Sequence, residues 1–184
     1  MPYASARPHP GDRSNARRIV VCPLAELDGV IARHRPAHVV SIGSPSAGPP
    51  RIDVPHHTVV THHDVVDETG PRPGLVHPGP DHAAAIIDAA RAWDGERPLV
   101  VHCQFGVSRS PAAAIIVAAA LREERDPGEI ARALRAAAPF ATPNIRLVAA
   151  ADDALGRGGT LTAAVRGIGR GAFVSTGTAF ELVA

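Results

Sequence analysis

The stretch from Leu99 to Glu124, LVVHCQFGVSRSPAAAIIVAAALREE, carries one of only two cysteines in 184 residues, and its reading decides the fold. "LVVHC" is a short apolar run of strand length, and the Ala/Ile/Val-rich run from Pro111 to Glu124 reads as a helix. Pro111 sits in the first turn, where a missing N–H costs no hydrogen bond. The residues between form a strand-to-helix loop. Such a loop turns backbone N–H groups toward one point beside the positive end of the helix dipole, and Gly106 supplies the freedom that a nest of amides requires. An anion is the natural guest.

Outward from this unit the chain repeats the same alternation. "IVVCP" from Ile19 is a strand candidate, and "LAELDGVIARH" follows with Leu24, Leu27, Val30 and Ile31 at helical spacing. "HVVSIG" and "HHTVVTHH" are two further strands, the first ended by the Pro/Gly-rich "SPSAGPP". "DVVDETGPRPGLVHPGP" is too rich in Pro and Gly for regular structure, and a long loop ahead of a helix is often functional. That helix is "DHAAAIIDAARAW", with Asp81 near its N-terminus. "PGEIARALRAAA", with Pro127 in its first turn, and "NIRLVAAADDAL" are two more. The pattern predicts a three-layer α/β fold: a mainly parallel central sheet of about four to five strands flanked by helices, with a helical C-terminal half. Residues 1–18, rich in Pro, Arg and Ser, read as a flexible tail. Residues 19–155 form the domain. Residues 156–184 are a C-terminal extension packed on it, in which "TLTAAVRGIG" reads as a short helix and "FVSTGTAFELVA" as a tail or small edge element.

Composition narrows the partners. The formal net charge is +1 and all 19 basic residues are arginines, so there is no bulk attraction for nucleic acid or anionic lipid, and neither partner is expected. No run of 18 apolar residues and no signal peptide is evident, which points to a cytoplasmic protein with Cys22 and Cys103 reduced. The pairs His56-His57 and His62-His63 invite a metal reading. Neighbours on a strand face opposite sides, however, so no metal site is expected. Asp152-Asp153 reads as a solvated helix face.

Cys103 and Arg109 stand in C-x5-R spacing, which with two cysteines and 19 basic residues in 184 arises by chance in about one such chain in five. The strand before and the helix after supply the specificity. A helix N-terminus and a neighbouring cation favour the thiolate, the nucleophilic form of Cys103. Arg109 offers a planar fork for two phosphate oxygens. Ser110 places a hydroxyl where it can donate to the sulfur, and His102 is placed to orient the loop by hydrogen-bonding its backbone.

"HCQFGVSRS" resembles the H-C-x-x-G-x-x-R-S/T signature of cysteine-dependent protein tyrosine and dual-specificity phosphatases, as in their small, bacterial-type members. The loop's place after several βα units is similar to these and unlike the low-molecular-weight tyrosine phosphatases. "LRAAAPFATPNIRLVAAAD" resembles the dual-specificity pattern in which an asparagine after proline opens the next helix and buttresses the loop, here Asn144. The resemblance spans roughly Ile19 to Leu155 and is strongest over Leu99 to Ile116. It implies hydrolysis of phosphomonoesters in a phosphorylated protein or peptide through a phospho-cysteine, with no cofactor and with phosphate or vanadate as inhibitors. Gln104, Phe105, Gly106, Val107, Ser108 and Arg109 would hold the phosphate. The family takes its general acid from an Asp just after a strand. Asp64 fits that place, and Asp67 is the alternative. The absence of lysine in the loop weighs against phosphoinositides. Two other readings stay open: a phosphopeptide-binding relative without turnover, and sulfur or arsenate chemistry of the rhodanese or arsenate-reductase kind. Cys22 is a resolving partner for an oxidised Cys103 only if the two lie close.

Overall fold

A computed structural model describes residues 17–66, 70 and 72–184. Nearly all of the N-terminal stretch read as a tail, and the alternative acid Asp67, lie outside the described residues. Four strands run parallel: β1 (Arg18–Pro23), β2 (His38–Gly43), β3 (His56–Thr61) and β4 (Leu99–Cys103). A fifth, β5 (Phe180–Val183), lies antiparallel on β1, giving the order β3-β2-β4-β1-β5. The inner strands are covered on both faces, which is why they read as continuous apolar runs rather than alternating ones.

Alternation along the strands still assigns each residue a face. Val20, Cys22, Val39 and Val100 pack with Leu27 and Val30 of α1 (Leu27–His34), which follows a 3₁₀ turn at Leu24–Glu26. Ile19, Val21, Val40, Ile42, Val101 and Cys103 pack on the other side against α2 (Pro80–Ala92), α3 (Arg109–Leu121) and α5 (Ile145–Ala154). The result is a three-layer α/β fold. Helix α3 is buried from Arg109 to Ala120, as expected of a helix apolar on every side. Its alanines let α2, α4 (Pro127–Ala137) and α5 approach it closely.

Helix ends follow local chemistry. The Asp126 side chain accepts from Glu129 N at 2.9 Å with Pro127 at the first helical position, and the Asn144 side chain accepts from Leu147 N at 3.0 Å. Asp152 corrects the sequence reading. Asp153 is exposed, but Asp152 is buried and takes N–H bonds from Gly159 at 2.7 Å and Thr162 at 2.6 Å, capping α6 (Thr160–Gly167). The pair is not a solvated face, because one member serves a helix that begins eight residues further on. Beyond α6 the chain crosses the end of the sheet that carries the loop after β4 and returns as β5, where Ala184 N bonds Arg17 O. No helix among the described residues is long and apolar enough to cross a membrane.

Candidate active site

Cys103 is the last residue of β4 and only 3% exposed. The chain then turns through Gln104–Ser108 and enters α3 at Arg109. Gly106 has φ +69°, and a methyl there would stand 2.9 Å from the backbone nitrogen of Pro23, so the turn needs glycine for both angle and space. Ser110, fully buried in the first turn of α3, sets its Oγ 3.1 Å from Cys103 Sγ. The sulfur thus faces the N-terminus of a helix and a hydroxyl able to donate to it.

Arg109 is 5% exposed and aims back across the loop. Its Nη1 donates to His62 O at 3.0 Å and Ser44 Oγ at 3.3 Å, while Nε is buried with no hydrogen-bond partner. A buried guanidinium N–H without an acceptor is costly, and an anion held by the loop would satisfy it. Cys103, Arg109 and Asp64 share one cleft of about 220 Å³, with Phe105, Val107, Ser108, Val174 and Ser175 completing its walls. The loop's remaining member, Gln104, is exposed and lines a neighbouring pocket.

Asp64 reaches the cleft through two tethers. Its Oδ1 accepts from Ser108 Oγ and from Asn144 Nδ2, both at 2.7 Å. Asn144 also donates to Val65 O at 3.2 Å, and its backbone N–H bonds Ser108 O at 3.1 Å. One buried asparagine therefore ties the loop that carries Asp64 to the loop between Cys103 and Arg109. Both donors fall on Oδ1.

His102 departs from expectation. Its ring bonds Ser41 Oγ at 2.6 Å rather than the loop backbone, and Ser41 Oγ in turn lies 2.8 Å from His57 Nε2. Burial, then the neighbouring His57, pulls the His102 ring down to about 4, so it is neutral at pH 7. His62 is likewise pulled down to about 4, mainly by burial; its Nδ1 donates to His63 O. The His57 ring is shifted downward by burial as well. Cys22 faces the opposite side of the sheet from Cys103, in the α1 core, and both thiols are free. Burial pushes the Cys22 thiol up to about 12. It therefore lacks both the direction and the nucleophilicity of a resolving partner.

Several contributors escaped the sequence reading. Ser41 and Ser44 touch the His102 ring and the Arg109 guanidinium but belong to no motif. Thr142 N bonds Val107 O at 2.8 Å, and Gly177 N bonds Phe105 O at 2.8 Å, so two distant segments clasp the loop from outside. "TGT" around Gly177 was the only available signal, and it marks a turn without naming its partner. No family model matches the chain, and no curated protein matches its sequence.

Proposed function

We propose that this protein is a phosphomonoester hydrolase working through a phospho-cysteine intermediate. More narrowly, we read it as a phosphatase of the dual-specificity type, acting on phosphorylated protein or peptide without a cofactor. The observation that carries the reading is the convergence of Cys103 Sγ, the unpartnered Nε of Arg109 and the Asp64 carboxyl on one cleft at the N-terminus of a buried helix. A nucleophilic thiol of this kind suits a reducing, cytoplasmic setting.

In this reading each step has a residue to carry it. The Cys103 thiolate attacks phosphorus, the ester P–O bond breaks, and Asp64 gives its proton to the leaving oxygen. Arg109 and the loop amides take up charge on the equatorial oxygens. Water then attacks the phospho-cysteine and gives a proton to Asp64. The S–P bond breaks, and Ser110 donates to the departing sulfur.

Hydrolysis of p-nitrophenyl phosphate and a phosphotyrosine peptide, in chelator, by the native protein and by Cys103→Ser tests the reading. Chelator-resistant turnover that is lost in the variant is expected. Turnover that survives Cys103→Ser would reject the phospho-cysteine. Vanadate binding without any turnover would leave a phosphopeptide-binding module instead.

A further inference from the structure

Two further depressions adjoin the catalytic cleft. One, of about 170 Å³, shares Cys103, Phe105 and Arg109 with it and continues over the loops after β1 and β2. The other, of about 940 Å³, shares Asp64, Val107, Ser108 and Val174 and continues between Ile145 and the C-terminal segment. The two have no lining residue in common, so they leave the nucleophile in different directions.

The outer wall of the larger groove is residues 169–174, part of a strap that runs to Gly177 and is bolted down. Arg135 donates through Nη1 to Pro139 O and Ala141 O at 2.7 and 2.9 Å, and through Nη2 to Gly169 O at 2.8 Å. Gly171 N bonds Thr142 Oγ1 at 3.0 Å, Ala172 N bonds Pro139 O at 3.0 Å, and Gly177 N bonds Phe105 O. A methyl on Gly171 would collide with the Phe140 backbone. On this fixed backbone Phe173 is 95% exposed, and Arg170 is exposed beside it. Both line the groove. Nor is Phe173 alone. Leu24, Val59, Val66 and Phe105, all large, apolar and exposed, line the same set of depressions. An apolar rim concentrated around one site marks a binding surface.

We infer that the strap is a substrate-reading element, and that the substrate is a phosphorylated residue in the interior of a polypeptide. The flank lying in the larger groove carries an apolar side chain against Phe173 and a carboxylate near Arg170. This rests on the phosphatase reading above. Depressions on both sides of the nucleophile suit a chain that continues in both directions from its phosphate. A lipid phosphate continues in only one, and its hydrocarbon would meet the guanidinium groups of Arg166 and Arg170 in the larger groove.

The test compares kcat/KM for p-nitrophenyl phosphate, a phosphotyrosine peptide with Leu and Glu on both flanks, its Lys-flanked counterpart, and phosphatidate in phosphatidylcholine vesicles. Phe173→Ala is expected to lower the Glu-flanked peptide's kcat/KM relative to that of p-nitrophenyl phosphate by about fivefold or more. Arg170→Glu is expected to shift preference from the Glu-flanked toward the Lys-flanked peptide. If both variants change peptide and p-nitrophenyl phosphate in step, or if native protein prefers phosphatidate to peptide, the inference is overturned while the phosphatase reading stands. If native protein hydrolyses none of the four, the phosphatase reading fails and the strap's role with it.

Discussion

The loop from Cys103 to Ser110 and the strap, 169–177, touch at Phe105 and Gly177 and line the same cleft, yet the loop takes its shape from the chain on either side of it and the strap does not. The loop is shaped first by its own neighbours in the chain, since β4 delivers Cys103, α3 receives Arg109 and Gly106 turns between them, and Thr142, Asn144 and Gly177 then clasp it from outside. The strap has no regular structure and is fixed from afar, by Thr142 and Arg135 at sequence separations of 29 and 34 residues. Chemistry here is built locally and selection is built from tertiary contacts. The proposed general acid belongs to the second kind, because Asp64 is held by partners 44 and 80 residues away.

The largest effect should come from cutting across that division at Asp64. A positioned general acid contributes about 10²–10⁴-fold. Asp64→Asn should therefore lower turnover of phenyl or alkyl phosphates by that order and of p-nitrophenyl phosphate far less, with vanadate affinity retained because the loop is untouched. Asn144→Asp preserves the cap on Leu147 but replaces a donor to Asp64 with repulsion. It should cost roughly ten- to a hundredfold on poor leaving groups. Equal losses on good and poor leaving groups would remove Asp64 from the acid's role and restore Asp67 as the candidate.

Acid should destabilise both regions together. His102 lies behind Cys103, facing Ser41 and near His57, and His62 lies beside Arg109, facing His82 and near Asp64. Both rings are pulled from 6.5 to about 4 by burial, so between those pH values the unfolded chain binds protons that the folded one refuses. Stability is then full above pH 6.5, falls as pH drops toward 4, and is insensitive to these two groups below that. Each histidine contributes on the order of 3 kcal/mol to the change. Urea unfolding at pH 7.5 and 4.5 should show the fall, and His62→Asn or His102→Asn should each remove about half of the part due to these two rings. A stability independent of pH in that window would mean that neither ring is held neutral.

The same division explains what the sequence disclosed. Strands β1, β2 and β4 were legible because burial on both faces writes an apolar run, β3 at the sheet edge by its β-branched TVVT, and α3 because a helix buried on all sides is apolar throughout. Cys103, Gly106, Arg109 and Ser110 were legible because strand, turn and helix follow one another within eight residues. Ser41, Ser44 and the strap were not, since a serine two strands away or a glycine near the C-terminus carries no mark of what it will touch. Asp152 misled for the same reason. Its neighbour Asp153 is solvated, and only the path of the chain through Gly159 decides that Asp152 is not. His102 was placed in the right unit with the wrong partner, because the loop backbone is local and Ser41 is 61 residues distant.

The smallest effect separates the two regions most cleanly. Alanine at Gly106 must adopt φ +69° and press on the Pro23 backbone, which has no side-chain rotation with which to yield. A cost of about 1–3 kcal/mol in stability is expected, together with weaker vanadate binding, because the distorted amides are those that face the anion. At Gly177 the main obstacle is the Phe140 ring, packed edge-on to Phe180 with centroids 6.1 Å apart, and a ring can shift. Gly177→Ala should cost about 1 kcal/mol or less. Its mark should be a lower peptide-to-p-nitrophenyl phosphate ratio in kcat/KM, with vanadate affinity within about twofold of native. Thermal unfolding, vanadate titration and the kcat/KM ratio for both variants give the comparison directly. If Gly177→Ala weakened vanadate as much as Gly106→Ala, the strap would be part of the phosphate cradle itself, and the division between local chemistry and tertiary selection would not hold at this site.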